Sequence, residues 1–127
     1  MKLRIRGNTL RLRLSRSEVD LVAQGKEVKD FTFFPGGGNL QYVLKQTLSD
    51  TSVVKTNEGD DSCINVLVDE NKARQWAKSE EVGLFGAEPL ILGSFELLIE
   101  KDFACLNPRD GGEDSDSFPN PATVETN

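Results

Sequence analysis

Residues 1–14 constrain the fold of this chain more than any other stretch. Leu3, Ile5, Leu10, Leu12 and Leu14 alternate with Lys2, Arg4, Arg11 and Arg13 on either side of Gly7-Asn8, and alternation broken by a two-residue loop marks an antiparallel hairpin. Pairing across that loop sets Leu3 opposite Leu12 and Ile5 opposite Leu10, and the same register sets Lys2 opposite Arg13 and Arg4 opposite Arg11. One face of the hairpin is then aliphatic and the other cationic. The aliphatic face requires a core to bury it, and 127 residues suffice for one domain that buries about two-thirds of its unfolded surface without disulfides or metals.

The pattern that follows reads as a chain of short elements. Ser15-Arg16-Ser17-Glu18 has the spacing of a capping box, Val19, Val22 and Ala23 supply a helical stripe, and Gly25 ends it. A strand through Val28, Phe31, Phe33 and Phe34 closes at Pro35-Gly36-Gly37-Gly38-Asn39. No Lys-Ser or Lys-Thr and no helix pattern follows these glycines, so they mark a turn and not a phosphate cradle. A meander is expected next, with strands over 40–48, 51–56 and 62–68 and a polar turn over 57–61 holding Glu58, Asp60 and Asp61. Asp69 caps a second helix with the stripe Ala73, Trp76 and Ala77. Val82, Leu84 and Phe85 resume strand character, and one long strand is expected from Leu90 to Phe103. Leu3, Ile5, Leu10, Leu12, Val19, Val22, Phe31, Ile64, Val66, Trp76, Val82 and Leu97 are the expected core.

An offset of 54 residues relates the two halves. Leu10, Leu12 and Leu14 map onto Ile64, Val66 and Val68, Ser15 onto Asp69, and Val19, Val22 and Ala23 onto Ala73, Trp76 and Ala77. The expected fold is therefore α+β: two strand-strand-helix-strand-strand units forming a mainly antiparallel pseudo-twofold barrel or two packed sheets, with two short helices. Residues 1–106 form the single domain, with an internal duplication of 1–50 and 51–106 suggested by the offset, and residues 107–127 form an acidic Pro/Gly-rich tail. The order of elements resembles the repeated units of DNA sliding-clamp domains, a resemblance of pattern that implies architecture and no function.

The run Lys2-Leu3-Arg4-Ile5-Arg6-Gly7-Asn8-Thr9-Leu10-Arg11-Leu12-Arg13-Leu14 also resembles the start of a family of small bacterial proteins catalogued as a domain of unknown function. So does the closing block Glu100-Lys101-Asp102-Phe103-Ala104-Cys105-Leu106, with Phe118-Pro119-Asn120-Pro121 beyond it. This resemblance spans nearly the whole chain. It implies a stand-alone bacterial domain and brings no activity, cofactor or catalytic residue with it.

Composition excludes several classes of function. Histidine is absent, which removes the imidazole of every Ser-His or Cys-His mechanism and the commonest zinc ligand. A formal charge of -6 argues against non-specific binding to nucleic acid or to an anionic membrane. No apolar stretch reaches the length of a bilayer span and no signal-peptide core opens the chain, which points to the cytoplasm. Cys63 and Cys105 sit in strand-like apolar contexts and read as buried free thiols. A nucleophilic Cys105 has only Lys101 or Arg109 nearby to lower its pKa.

The cationic hairpin face is the least ordinary feature, because like charges placed opposite on paired strands repel. Lys2, Arg4, Arg11 and Arg13 are the candidate anion- or partner-binding residues. A solvated face, neutralisation by Glu96, Glu100 or the tail, and an external anion are the three explanations. In the tail, Asp110, Glu113, Asp114 and Asp116 are expected to cross near that face while Phe118 enters a groove on this chain or a second copy. These acids do not have the spacing of a calcium loop, so no metal is expected, and no cofactor. Glu96 and Glu100, separated by three apolar residues, do not form the alternating-charge strand of triphosphate-tunnel enzymes. Glu100 and Asp102 share a strand face without forming a diagnostic catalytic pair. Trp76 belongs to a helix stripe and Tyr42 stands alone, so no base-stacking platform is evident. The chain thus reads as a non-catalytic interaction or scaffold domain, partnered by itself as a homodimer or by an acidic protein. The alternative is a small enzyme or binding protein for a phosphorylated ligand at the arginines.

Overall fold

The computed structural model describes residues 1–57, 59–102 and 118, and the backbone alone of residues 60 and 61. Strands β1 (Lys2–Arg6) and β2 (Thr9–Leu14) pair antiparallel with Leu3 opposite Leu12, Ile5 opposite Leu10, Arg4 opposite Arg11 and Lys2 opposite Arg13. Gly7 has φ of 55° while, among the described residues, no non-glycine residue has positive φ. Positive φ at the first loop position alone defines a type II′ turn, whose twist matches that of the strands it joins. The loop thus fixes the register that separates aliphatic from cationic side chains.

Helix α1 (Arg16–Ala23) begins at a closed capping box: the Ser15 hydroxyl accepts the Glu18 amide at 3.4 Å and Glu18 Oε1 accepts the Ser15 amide at 2.9 Å. Strands β3 (Val28–Phe33), β4 (Asn39–Thr47), β5 (Val53–Asn57) and β6 (Asp60–Asp69) follow. The Asp69 carboxylate accepts the Lys72 amide at 3.3 Å and starts α2 (Glu70–Lys78). Strands β7 (Leu90–Leu92) and β8 (Phe95–Lys101) complete the described elements.

Among the described residues the strands form two four-stranded sheets and no closed barrel. Their orders are β1-β2-β8-β7 and β3-β4-β6-β5. Read from its other edge, the second is β5-β6-β4-β3, so each strand of one unit has a counterpart at the same sheet position in the other. Within each sheet the two hairpin pairings are antiparallel and the central pair, β2 with β8 or β4 with β6, is parallel. Helix α1 leads from the first sheet to the second, α2 leads back, and the two helices pack on each other. Leu10, Leu12 and Leu14 from β2, Leu97 and Ile99 from β8, Leu44, Val66 and Val68 from the second sheet, and Val19, Val22, Ala73 and Trp76 from the helices meet in one core.

Four expectations are corrected. The long strand over Leu90 to Phe103 is broken at Gly93-Ser94, where Gly93 has φ of 66° and Leu92 pairs with Phe95 across the turn. Residues 82–85 form no strand; they touch β8 through a single Gly83–Glu100 bridge. Ile5 (56% exposed) and Phe31 (44%) are not core: Ile5 stands at the turn end of edge strand β1, and Phe31 lies on the face of β3 opposite buried Val28. Val82 is 40% exposed because it lies in the connection between α2 and β7.

Candidate functional site

The outward face of the first sheet is built by the period-two alternation of its strands. Three rows cross it, set by the ladders: Lys2, Arg13 and Glu100; Arg4, Arg11 and Leu98; Arg6, Thr9, Glu96 and Ile91. Glu100 Oε1 stands 3.3 Å from Arg11 Nε and 3.9 Å from Arg13 Nε, and Lys2 Nζ lies 2.9 Å from Asp102 Oδ2. Part of the cationic face is therefore neutralised by the chain's own acids, which cross-strand repulsion requires. Glu100 lies near the end of β8 and Asp102 one residue beyond it, and the parallel pairing of β8 with β2 delivers both to this side.

The opposite end of the face is different. Arg4, Arg6, Thr9, Arg11, Pro89, Glu96 and Leu98 line a cleft of about 520 Å³. Glu96 is its single acid, and the Thr9 hydroxyl donates to Glu96 Oε2 at 3.0 Å. Among the described residues neither Arg4 nor Arg6 has a carboxylate within 4.0 Å. A guanidinium offers five donors in a planar fork that matches carboxylate and phosphate. Two unpaired ones beside Arg11 make this end of the face an anion-attracting surface.

Of the four basic residues singled out from sequence, Arg4 and Arg11 reach the cleft, while Lys2 and Arg13 sit beyond it with Asp102 and Glu100. Arg6, Thr9, Leu98 and Pro89 were not singled out for the site, and Glu96 was named only as an acid that could neutralise the basic face. Arg6 was legible: it continues the alternation of Lys2 and Arg4 to the edge of the turn. Pro89 and Leu98 were not, because their approach depends on the parallel pairing of β2 with β8, which joins residues as far apart as Thr9 and Glu96, 87 positions apart in sequence.

A second grouping lies where β8 ends. The Phe118 amide donates to the Asp102 carbonyl at 2.8 Å, and the Asp102 amide donates to the Leu14 carbonyl at 2.8 Å. The half-buried Phe118 ring packs against the core, with the Arg16 guanidinium and the Lys101 ammonium each 5.7 Å from its centre. Asp110, Glu113, Asp114 and Asp116 lie outside the described residues, as does Cys105. Cys63 is a buried free thiol, 3.6 Å from Gln41 Oε1.

Residues 1–122 match a family of unknown function, DUF7009. The chain belongs to the DUF7009 family. That assignment agrees with the resemblance carried by the two end motifs, and the matched span includes the hairpin, both helices and Phe118. No curated protein and no solved structure matches this DUF7009 chain. Among its described residues no helix is long and apolar enough to cross a membrane.

Proposed function

We propose that this chain is a non-catalytic interaction domain that takes an acidic protein segment on the outward face of its first sheet. The observation that carries the proposal is the pair Arg4 and Arg6, which line the cleft beside Arg11 without an acid of their own among the described residues. Arg4 and Arg6 are exposed, and a carboxylate brought to either guanidinium can form short bidentate contacts. The basic rows extend beyond the cleft to Lys2 and Arg13, which suits an extended acidic segment more than a compact ligand. Glu100 and Asp102, the acids that a catalytic role at this face would use, are each engaged by cations.

Binding of a small phosphorylated ligand is the second reading, favoured by one observation: about 520 Å³ falls within the usual range for small-molecule sites. The matching orders of the two sheets support descent of residues 1–50 and 51–106 from one duplicated unit as part of the same proposal. Fluorescence anisotropy with a labelled Asp/Glu-rich peptide, run beside inorganic pyrophosphate, tests both readings. The peptide is expected to bind in a salt-dependent manner, and Arg4→Ala with Arg6→Ala to weaken it about tenfold or more, the loss of about 1.4 kcal/mol. Binding of pyrophosphate alone would favour the second reading, and an unchanged affinity in the double variant would overturn both.

A further inference from the structure

The main chain of β1 is bonded on one side and open on the other. The Glu96 amide donates to the Asn8 carbonyl and the Asp102 amide to the Leu14 carbonyl, each at 2.8 Å, at the two ends of the ladder that joins β2 to β8. Alternation places the main-chain groups of Leu10 and Leu12 on the β8 side with them, and turns those of Thr9, Arg11 and Arg13 toward β1. Their partners in the hairpin register, Arg6, Arg4 and Lys2, turn theirs back to β2. The amides and carbonyls of Leu3 and Ile5 therefore point away from the sheet, of which β1 is an edge strand. Among the described residues no hydrogen bond reaches these four groups.

The side chains of the same strand divide by face. Arg4 and Arg6 are exposed on the outward face and have no carboxylate within 4.0 Å among the described residues. Ile5 stands on the opposite face and is 56% exposed, with Leu3 partly exposed beside it. An antiparallel pairing of β1 with β1 of a second copy through the open groups sets cation against cation, so these charges reject self-association. The same charges select an acidic strand.

Given an acidic partner at the outward face, on which this step rests, we infer that β1 takes that partner by strand addition: an extended segment of alternating acidic and apolar residues pairs along the open edge. Its main chain bonds to Leu3 and Ile5, its acids stand beside Arg4 and Arg6, and its apolar side chains stand beside Leu3 and Ile5. The open amides and carbonyls supply affinity to any extended chain, and the side chains beside them supply the choice. Cross-strand neighbours share a face, so the residues beside Arg4 and Arg6 project toward the cleft and those beside Leu3 and Ile5 project to the other side. Opposite requirements on the two faces make the partner's pattern acid-apolar-acid-apolar. Lys2 adds nothing to this choice, because Asp102 already holds it. Strand addition also accounts for the exposure of Ile5, which the added strand's apolar residue covers. A compact phosphorylated ligand would use the arginines and leave Ile5 and the open main-chain groups untouched.

Anisotropy titration of the full chain with labelled, end-blocked Glu-Val-Glu-Val-Glu and Val-Glu-Glu-Glu-Val, equal in charge and composition, tests the pattern, and residue-resolved hydrogen exchange tests the edge. The alternating peptide is expected to bind at least about fivefold more tightly and, at saturation, to slow exchange of the Leu3 and Ile5 amides at least about tenfold. Ile5→Thr keeps a β-branched residue on the edge and shortens its apolar side chain, and is expected to cut the preference for the alternating peptide at least about twofold. Equal affinities of the two peptides, or binding that leaves the Leu3 and Ile5 amides unprotected, would overturn strand addition while leaving an acidic-segment site on the outward face. Failure of both peptides and of the Asp/Glu-rich peptide to bind would overturn both. Protection of Leu3 and Ile5 that rises with protein concentration in the absence of peptide would place a second copy on the edge and overturn the inference as well.

Discussion

The ammonium of Lys101 lies 5.5 Å from the centre of the Trp76 ring. Lys101 is the last residue of β8, buried, and its Nζ also donates to the Ser79 carbonyl at the end of α2. A lysine is accommodated there because the C-terminal turn of a helix leaves carbonyls without amide partners and carries partial negative charge. The Trp76 indole donates in turn to the Val82 carbonyl at 3.1 Å, so one aromatic side chain holds both the helix end and the following connection. Burial pushes the Lys101 pKa below the ordinary lysine value, and the charges of Glu80 and Glu81 oppose that shift.

Lys101→Ala is expected to destabilise the fold by about 2 kcal/mol, because it removes the packed stem, the contacts with Trp76 and Phe118, and the donor to Ser79. Lys101→Met keeps the stem and is expected to lose half of that or less. Urea denaturation of the two variants separates packing from charge. Equal losses would place the contribution in the ammonium.

The Met1 ammonium is held by Glu18 Oε2 at 2.5 Å and Asp30 Oδ2 at 3.1 Å. Burial by itself lowers its pKa, but the hydrogen bonds and charges of Glu18 and Asp30 outweigh that and raise it above 8.0. A group whose folded pKa exceeds its unfolded value contributes stability that is full below the unfolded pKa and is lost as pH rises through the folded one. The melting temperature is therefore expected to fall above about pH 8. Tyr42, raised above 10.0 by burial and by the charges of Asp30 and Glu18 against the Thr32 hydrogen bond, extends the fall at higher pH. Lys101, shifted downward from 10.5, acts with the opposite sign. Acetylating the Met1 amine should lower stability below pH 8 and remove the fall just above it; an unaltered pH profile would count against the contact.

Gly83 and Gly36 make a paired test of close approach. A Cβ on Gly83 would run into the carbonyl oxygen of Gly86, and Gly83 bridges β8 at Glu100, so the backbone cannot simply move away. A Cβ on Gly36 meets nothing within 4 Å, and its φ is not in the left-handed region. Gly83→Ala is expected to cost about 1–3 kcal/mol, as overpacking does, and Gly36→Ala less than about 0.5 kcal/mol. Thermal or urea unfolding reads both, and equal effects would refute the packing argument.

What was legible in the sequence was local. Gly7-Asn8 fixes a turn and a turn fixes a register, so the facing of Leu3 with Leu12 and of Arg4 with Arg11 followed from adjacent residues. Ser15 with Glu18, and Asp69, announced both helix starts. Gly93-Ser94 is the same kind of glycine-first turn as Gly7-Asn8, yet only Leu90, Ile91 and Leu92 precede it, a run too short and uniformly apolar for alternation to signal the reversal. The exposure of Ile5 was illegible for another reason: burial depends on whether a strand is at a sheet edge, and sheet order is non-local. The same limit hid Pro89 and Leu98, which reach the arginines only because β2 and β8 pair.

Glu100 is the residue at which stability and binding at the basic face are expected to part. Its Oε1 serves both Arg11 and Arg13, the inner members of two like-charged cross-strand pairs. Glu100→Gln keeps the shape and removes the charge. Partly exposed ion pairs contribute only about 0–1 kcal/mol, so the loss of stability should stay below about 1 kcal/mol and shrink in high salt, which screens the repulsion left behind. Removal of Glu100's charge also releases Arg11, which lines the cleft with Arg4 and Arg6. Affinity for the Asp/Glu-rich peptide is therefore expected to rise, by about threefold for a gain of roughly 0.6 kcal/mol, with a steeper salt dependence. Anisotropy titration of the variant at two salt concentrations measures this directly. A weaker affinity would mean that Glu100 orients Arg11 toward the partner and does not compete with it for the guanidinium.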